Sequence, residues 1–470
     1  MIKVKKLFVN EGQFYKSVFG LVLPLVAAQV MSLVLNFCDI AMLGRLGEGI
    51  SEAAIAAAQI ANRPFFLFSM IMFGSMSGAS VMCSQYWGKK DIDTINSIAG
   101  TTLTFLFPIC AAFMAVCLIF SKQLMSLITN DAKVVEMAAS YLRIISLAFV
   151  FNLLTGLFSG ILRSVEIVKI PVMAVIFGII VNISLNAVLI YGYFGFPALG
   201  IQGAAIATVI ARAVEFGIIM VYITFFEKTV KFTLKKMFKI HIIIIKDFFK
   251  YSLPVIVNEF VWGFGTVIHS TIIGHMSKEQ YAAYTISNMI EQIAFMSMIG
   301  FSSACCVMVG KAIGEGKDEE SIAAYARTFI GLAVFFVIVT GGAAFAFSGA
   351  IIDFFQINAA TKLHASQLFR VVTIFISLKT FNCVNIVGIF RGGGDTKTGM
   401  IIDAVFMYSF GIPLGFIAMY FLKLDVAFVY AFLISDEFFK LPVVIWRMKS
   451  RKWIRNITRE KHELFTEQKR

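Results

Sequence analysis

Residues 23–44, LPLVAAQVMSLVLNFCDIAMLG, and residues 253–274, LPVIVNEFVWGFGTVIHSTIIG, align without a gap. Leu-Pro opens both segments and Gly closes both. In this frame Gln29 faces Glu259, and Asp39 faces His269. Each segment is long enough for a helix to cross the hydrocarbon of a bilayer, which needs about 20 residues. Two further pairs keep the same order. SQYWGKKDID (84–93) matches VGKAIGEGKDEE (309–320), and GILRSVEIVK (160–169) lies over GIFRGGGDTK (388–397), pairing Arg163 with Arg391 and Lys169 with Lys397. Self-similarity in this order marks a doubled half.

Apolar stretches recur along nearly the whole chain, which is 59% hydrophobic with a mean hydropathy of +0.84. Twelve are long enough to span: 17–43, 52–76, 95–120, 134–156, 166–191, 201–226, 247–274, 281–307, 321–347, 364–390, 398–421 and 425–446. Lipid offers no partner to a free backbone amide, so spanning segments are helices or closed barrels, and these runs lack the short alternation of barrel strands. The expected fold is an all-α membrane protein of twelve transmembrane helices in two pseudo-symmetric six-helix bundles. Six is even, so the halves share one orientation and are related by an axis along the membrane normal. The expected segments are an N-terminal piece (1–16), an N-lobe (17–226), a basic linker (227–246), a C-lobe (247–447) and a basic tail (448–470).

The net charge of +13 comes from 41 Lys and Arg against 28 Asp and Glu. Its distribution argues against a nucleic-acid surface. With both termini on one side, that side holds 30 of the 41, and the opposite loops hold six: Arg45, Lys122, Lys133, Lys278, Lys362 and Lys423. This is the positive-inside pattern, which places both termini in the cytoplasm of a cell-membrane protein. The basic excess then serves topology and membrane lipid. The seven cysteines (38, 83, 110, 117, 305, 306 and 383) fall in or at the ends of apolar runs, with no zinc spacing and no disulfide framework. The opening MIKVKKLF is not followed by a signal-peptide cleavage site.

Motifs for chemistry are missing. Gly310–Asp318 (GKAIGEGKD) approaches a P-loop, but its first Gly is misplaced and it ends Gly-Lys-Asp; it reads as a solvated loop. No HExxH or GxSxG motif occurs. Gly392–Gly394 reads as a tight turn. A transporter, not an enzyme, is expected.

The polar groups inside the spans carry the function. A carboxylate at a helix centre in lipid costs about 2.5–3.5 kcal/mol to insert. Asp39 lies six residues before Arg45, about 9 Å along a helix, in the outer half of the first span. It is either a structural carboxylate with an ionic or interfacial partner, or a group that binds H+ or Na+. Desolvation favours the neutral form of a carboxyl, which suits proton loading. Asn182 and Asn186 stand one turn apart on the fifth span, as a helix–helix clamp or as oxygen ligands to an ion. Asn152 and Thr208 are weaker candidates for the same cavity. In the second half Glu259, Glu291, Asp403, Asp436 and Glu437 all fall within spans, the last two close to Lys440. The 49 Phe and 22 Met could supply a plastic apolar lining for organic cations.

NFCDIAMLGRLG (36–47), QYWGKKD (85–91), ILRSVEIVKIP (161–171), GIQGAAIAT (200–208), FRGGGDTK (390–397) and KWIRNIT (452–458) together resemble the multidrug and toxic compound extrusion (MATE) exporters over about residues 15–460. The resemblance implies two lobes around a V-shaped cleft and export of amphipathic, often cationic, organic compounds by H+ or Na+ antiport with no other cofactor. It implies a cation site at Asp39, Asn182, Asn186 and Thr208, and a loop motif at Arg163, Arg391 and Asp395. Many relatives carry Asp where Asn186 stands, so a possible Na+ at Asp39, Asn182 and Asn186 has one negative charge fewer. Some relatives pair an acid at Glu259 with an Asp on the tenth helix. That position falls near Thr380 here, leaving Glu291 as the substitute. Monomeric action on small organic substrates is expected. The runner-up is a flippase for a lipid-linked precursor, which would line its cleft with cations. The intramembrane Arg63, Arg143, Arg212, Arg370 and Lys379 are instead scattered over five helices.

Overall fold

The structure, a computed structural model, describes residues 8–47, 49–238, 241–354, 357–460 and 463, with only the backbone at Leu234, Ile290, Ile351 and Phe354. Residues 1–7 of the expected N-terminal piece, Lys239 of the linker, and 461–462 and 464–470 of the tail lie outside them. The described residues are helical and contain no strand. In order the helices are α1 (Gly12–Leu43), α2 (Ser51–Ala61), α3 (Arg63–Gly88), α4 (Ile92–Ile119), α5 (Ser121–Ser126), α6 (Ala132–Ile145), α7 (Ala148–Ser164), α8 (Lys169–Tyr191), α9 (Ile201–Val221) and α10 (Leu234–Met237). There follow α11 (Ile242–Gly274), α12 (Lys278–Gly314), α13 (Glu319–Ala346), α14 (Ser348–Phe354), α15 (Ala359–Cys383), α16 (Thr396–Phe406), α17 (Ile412–Tyr420), α18 (Val426–Leu433) and α19 (Asp436–Lys449).

The starts of the helices are written in the sequence. The Asp91 side chain accepts from Thr94 N to open α4, Asp131 from Lys133 N and Val134 N to open α6, and Ser277 from Gln280 N to open α12. Asp318 opens α13 and Asn358 opens α15 in the same way. Gly192, with φ +76°, ends α8 in the left-handed conformation.

Among the described residues, ten helical stretches are long and apolar enough to cross a membrane. The pair α6 and α7, bent by 46° at its break, makes an eleventh. The twelfth, expected at 425–446, is divided by a turn at Ile434–Ser435 into α18 and α19. Asp436, Glu437 and Lys440 sit just after that turn, and all three are turned inward. Apolar side chains on the spans face outward, among them Phe37 on α1, Phe335 on α13 and Ile374 on α15, as lipid requires and water would not.

The chain forms two compact units. One comprises Ala27–Cys83, Asp91–Phe249 and Arg459–Arg470; the other comprises Met1–Val26, Ser84–Lys90 and Lys250–Thr458. Three of the dividing points fall inside α1, α3 and α11; the other two lie between α3 and α4 and in the tail after Thr458. The second unit has a continuous apolar core from α11, α12, α13, α15 and α18, including Ile273, Met298, Val337, Leu368 and Leu433.

The Gly310–Asp318 segment departs from the expected solvated loop. Its first five residues are the last turn of α12, with Gly310 and Ala312 buried, and only residues 315–318 form an exposed connection. The helix continues because Val309–Ile313 is apolar on the packed side.

Candidate functional site

In the first unit, α8 and α9 run close together. A Cβ at Gly203 would lie 2.5 Å from the Leu189 carbonyl oxygen, so only glycine permits this approach. The loop between them is tied back by Leu199 N to Leu189 O at 2.9 Å. At the end of α8 the Tyr191 hydroxyl donates to Met42 O at 2.7 Å, fixing α8 against α1.

This packing brings four of the expected residues into one chain of hydrogen bonds. Asn186 Nδ2 donates to Asp39 Oδ1 at 2.6 Å and to Asn182 Oδ1 at 2.8 Å. Asn182 Nδ2 donates to Thr208 Oγ1 at 3.1 Å, and the threonine hydroxyl donates to Ala204 O. Asn182 and Asn186 are fully buried, while Asp39 and Thr208 are half-buried. Asp39 has no basic partner within 4.0 Å among the described residues, so the ion-paired structural alternative for this carboxylate is not what the structure holds. Asn186 Oδ1 is buried and accepts no hydrogen bond. The arrangement thus offers one carboxylate and one unused amide oxygen side by side. An ionised Asp39 accepts the Asn186 N–H, and a neutral Asp39 has a proton to donate to an amide oxygen.

Asn152, half-buried on α7, takes no part in this chain. Sequence reasoning missed Glu215, one turn beyond Arg212 on α9. Arg212 Nη1 lies 2.8 Å from both of its carboxylate oxygens, and Glu215 is only 2% exposed. The i, i+3 spacing of opposite charges was the available signal.

Glu259 and Glu291, the expected site acids of the second unit, each have a basic partner of their own. Glu259 on α11 accepts from Arg391 at 3.1 Å. Thr380, at the place of the family's tenth-helix acid, is fully buried and bonds its own helix at Ile376 O. Glu291 on α12 accepts from Lys379 of α15 at 2.5 Å and from the Tyr430 hydroxyl of α18. Lys379 and Tyr430 are the partners that sequence reasoning left unassigned, because they come from distant helices.

The loop-motif residues do not share one environment. Arg163 at the end of α7 donates to Ser159 O. Arg391 and Asp395 are buried. Asp395 accepts from Arg447 Nε at 2.7 Å and Nη2 at 2.5 Å, lies 3.1 Å from Arg455, and accepts from the Thr398 hydroxyl. Gln85 bonds Gly392 O, Arg455 O and Ile457 N. The glycine turn at 392–394 is present as expected, and it is packed in: a Cβ at Gly393 would lie 2.3 Å from Trp453 O. The loop, the end of α3 and the tail through Ile457 therefore form one buried polar knot.

Two helical units crossing a bilayer, with uncompensated polar groups buried in the spans, define a multi-pass membrane transporter. A model of the MatE family matches residues 24–188 and 254–417, and the chain belongs to that family. Those two matched stretches cover all but the first residue of each of the two segments that align with each other. The chain is 25% identical over 427 residues to the "Probable multidrug resistance protein YoeA" of Bacillus subtilis (strain 168), covering 89% of each. It is also 25% identical over 455 residues to the "Probable multidrug resistance protein NorM" of Thermotoga maritima, covering 95% of each. Among solved structures, a MOP superfamily transporter from Pyrococcus furiosus shares the fold at 18% identity, with a TM-score of 0.84 over 96% of this chain and 99% of that one. A multidrug resistance MATE family transporter in an outward-facing conformation matches at 19% identity with the same TM-score.

Proposed function

We propose that this chain is a secondary active exporter of amphipathic, often cationic, organic compounds, driven by antiport of H+ or Na+, with Asp39 as the coupling group. The observation that carries the reading is the bond chain Asp39–Asn186–Asn182–Thr208 inside the spans, which ends on a carboxylate with no fixed counter-ion. An intramembrane acid without a basic partner is costly to insert and marks an ion or proton pathway. Two relatives named as probable multidrug resistance proteins support export of drug-like compounds. The set holds a single carboxylate beside neutral amide and hydroxyl groups, which favours the proton over sodium.

Transport follows by alternating access. The two lobes rock about a site that is loaded with cation from one side and with organic substrate from the other. The membrane is the cytoplasmic membrane and both termini are cytoplasmic, as the lysine and arginine asymmetry directs. The protein works as a monomer. The flippase reading finds less support, because Arg212 and Lys379 are bound to Glu215 and Glu291 and neither is free for a pyrophosphate.

Ethidium efflux from cells carrying the wild-type chain tests the proposal. Efflux collapses on dissipation of the driving gradient and falls to the background of empty cells in Asp39→Asn. Undiminished efflux by Asp39→Asn refutes the role given to Asp39.

A further inference from the structure

The second unit buries more negative side chains than positive ones at one point. Lys440 Nζ of α19 lies 2.8 Å from Asp436 Oδ2, 3.1 Å from Asp403 Oδ1 and 3.5 Å from Glu437 Oε1. Three carboxylates thus converge on one ammonium, and full ionisation leaves two negative charges without a partner. The surrounding charges do not supply the balance. Lys379 of α15 is held by Glu291 of α12, with Tyr430 of α18 on the same carboxylate. Arg391 is held by Glu259 of α11. The other titratable groups near the cluster are His269 of α11, whose buried Nε2 has no hydrogen-bond partner, and Cys383 of α15.

The two carboxylates beyond the tight Asp436–Lys440 pair each face an asparagine. Asn382 Nδ2 donates to Glu437 Oε2 at 2.8 Å, and Asn258 Nδ2 donates to Asp403 Oδ2 at 3.2 Å. Both asparagines are more than nine-tenths buried, and the Oδ1 of each has no hydrogen-bond partner. An amide can serve both states of a carboxyl. Its N–H₂ donates to the ionised form, and after half a turn its oxygen accepts from the protonated form. The unused oxygens are the acceptors the loaded state requires.

We infer that Asp403, Asp436, Glu437 and Lys440 form a proton-binding site in the second unit, separate from Asp39. Lys440 is its tethered cation and is paired with Asp436. Glu437 and Asp403 each take up a proton from solvent onto a carboxylate oxygen, and the resulting O–H donates a hydrogen bond to Oδ1 of the facing asparagine. The ammonium occupies the point where the three carboxylates meet, so a metal cation has no vacant place there. The site does not rest on the role proposed for Asp39.

Infrared difference spectra of the purified full chain, recorded between about pH 8 and about pH 5, test the inference. They are recorded in the Asp39→Asn variant, so failure of the Asp39 reading does not affect the result. The expected result is a titrating carboxylic acid C=O band that loses one component in Glu437→Gln and both components in Glu437→Gln/Asp403→Asn. It is the same in sodium chloride and choline chloride. A band unchanged by these substitutions, or one removed by sodium at constant pH, overturns the inference. Lys440→Met provides the reverse measurement should the double variant not fold. Loss of the ammonium enlarges the acid band, and a band that stays the same or shrinks overturns the inference.

Discussion

At Asp39 and Asn186 the chemistry turns on one functional group. Asn186 holds the carboxylate through its N–H₂ and contributes no charge of its own. Asn186→Asp places a second carboxylate beside the first, and the added negative charge attracts a cation more strongly. Sodium dependence of efflux is therefore expected to appear in Asn186→Asp, with the apparent sodium affinity at least about tenfold above wild type, a difference of about 1.4 kcal/mol. Efflux initial rates across a sodium series measure it, and an unchanged sodium response would show that charge at this position does not select the ion. Asp39, Asn182, Asn186 and Thr208 were all legible in the sequence, because polar residues within apolar spans stand out. Their bonding to one another was not. Spacing along one helix puts Asn182 and Asn186 on one face, but only the packing of α1, α8 and α9 brings Asp39 and Thr208 to that face.

Single elements carry the stability. The approach of α9 to α8 at Gly203 leaves no room for a side chain, and overpacking a tight helix contact costs about 1–3 kcal/mol. Gly203→Leu is expected to lower the thermal midpoint of the purified protein and to reduce efflux by displacing Thr208. A variant with unchanged midpoint and activity would mean the two helices can separate freely. The knot around Asp395 makes a stronger demand. Arg447 is buried with its two N–H donors on that carboxylate, and removing one partner of a buried pair costs about 3–5 kcal/mol. Asp395→Ala is expected to yield protein that unfolds at a markedly lower temperature in a thermal denaturation scan. The glycine turn was readable from FRGGGDTK, whereas its partners Gln85, Arg447 and Trp453 were not, since they lie far away in sequence. Periodicity likewise located the helices but not the break between α18 and α19. There an apolar run meets Asp436, Glu437 and Lys440, whose charges are satisfied only by neighbours from other helices.

For the whole molecule, duplication explains the architecture and its asymmetry explains the function. The aligned segments put His269 at the position of Asp39, and the second unit pairs Glu259 and Glu291 with Arg391 and Lys379. The halves have one plan and different chemistry, with Asp39 unpaired in the first and Glu259 and Glu291 each held by a base in the second. Composition and hydropathy were sufficient for the all-helical plan, because lipid permits so few alternatives. Ion coupling is a property of the whole transport cycle, and its most direct measurement is ethidium transport in proteoliposomes with a proton or a sodium gradient imposed separately. The account predicts that the proton gradient drives transport by the wild-type chain and not by Asp39→Asn, with sodium alone having little effect. Equal gradient-driven transport by wild type and Asp39→Asn would contradict it.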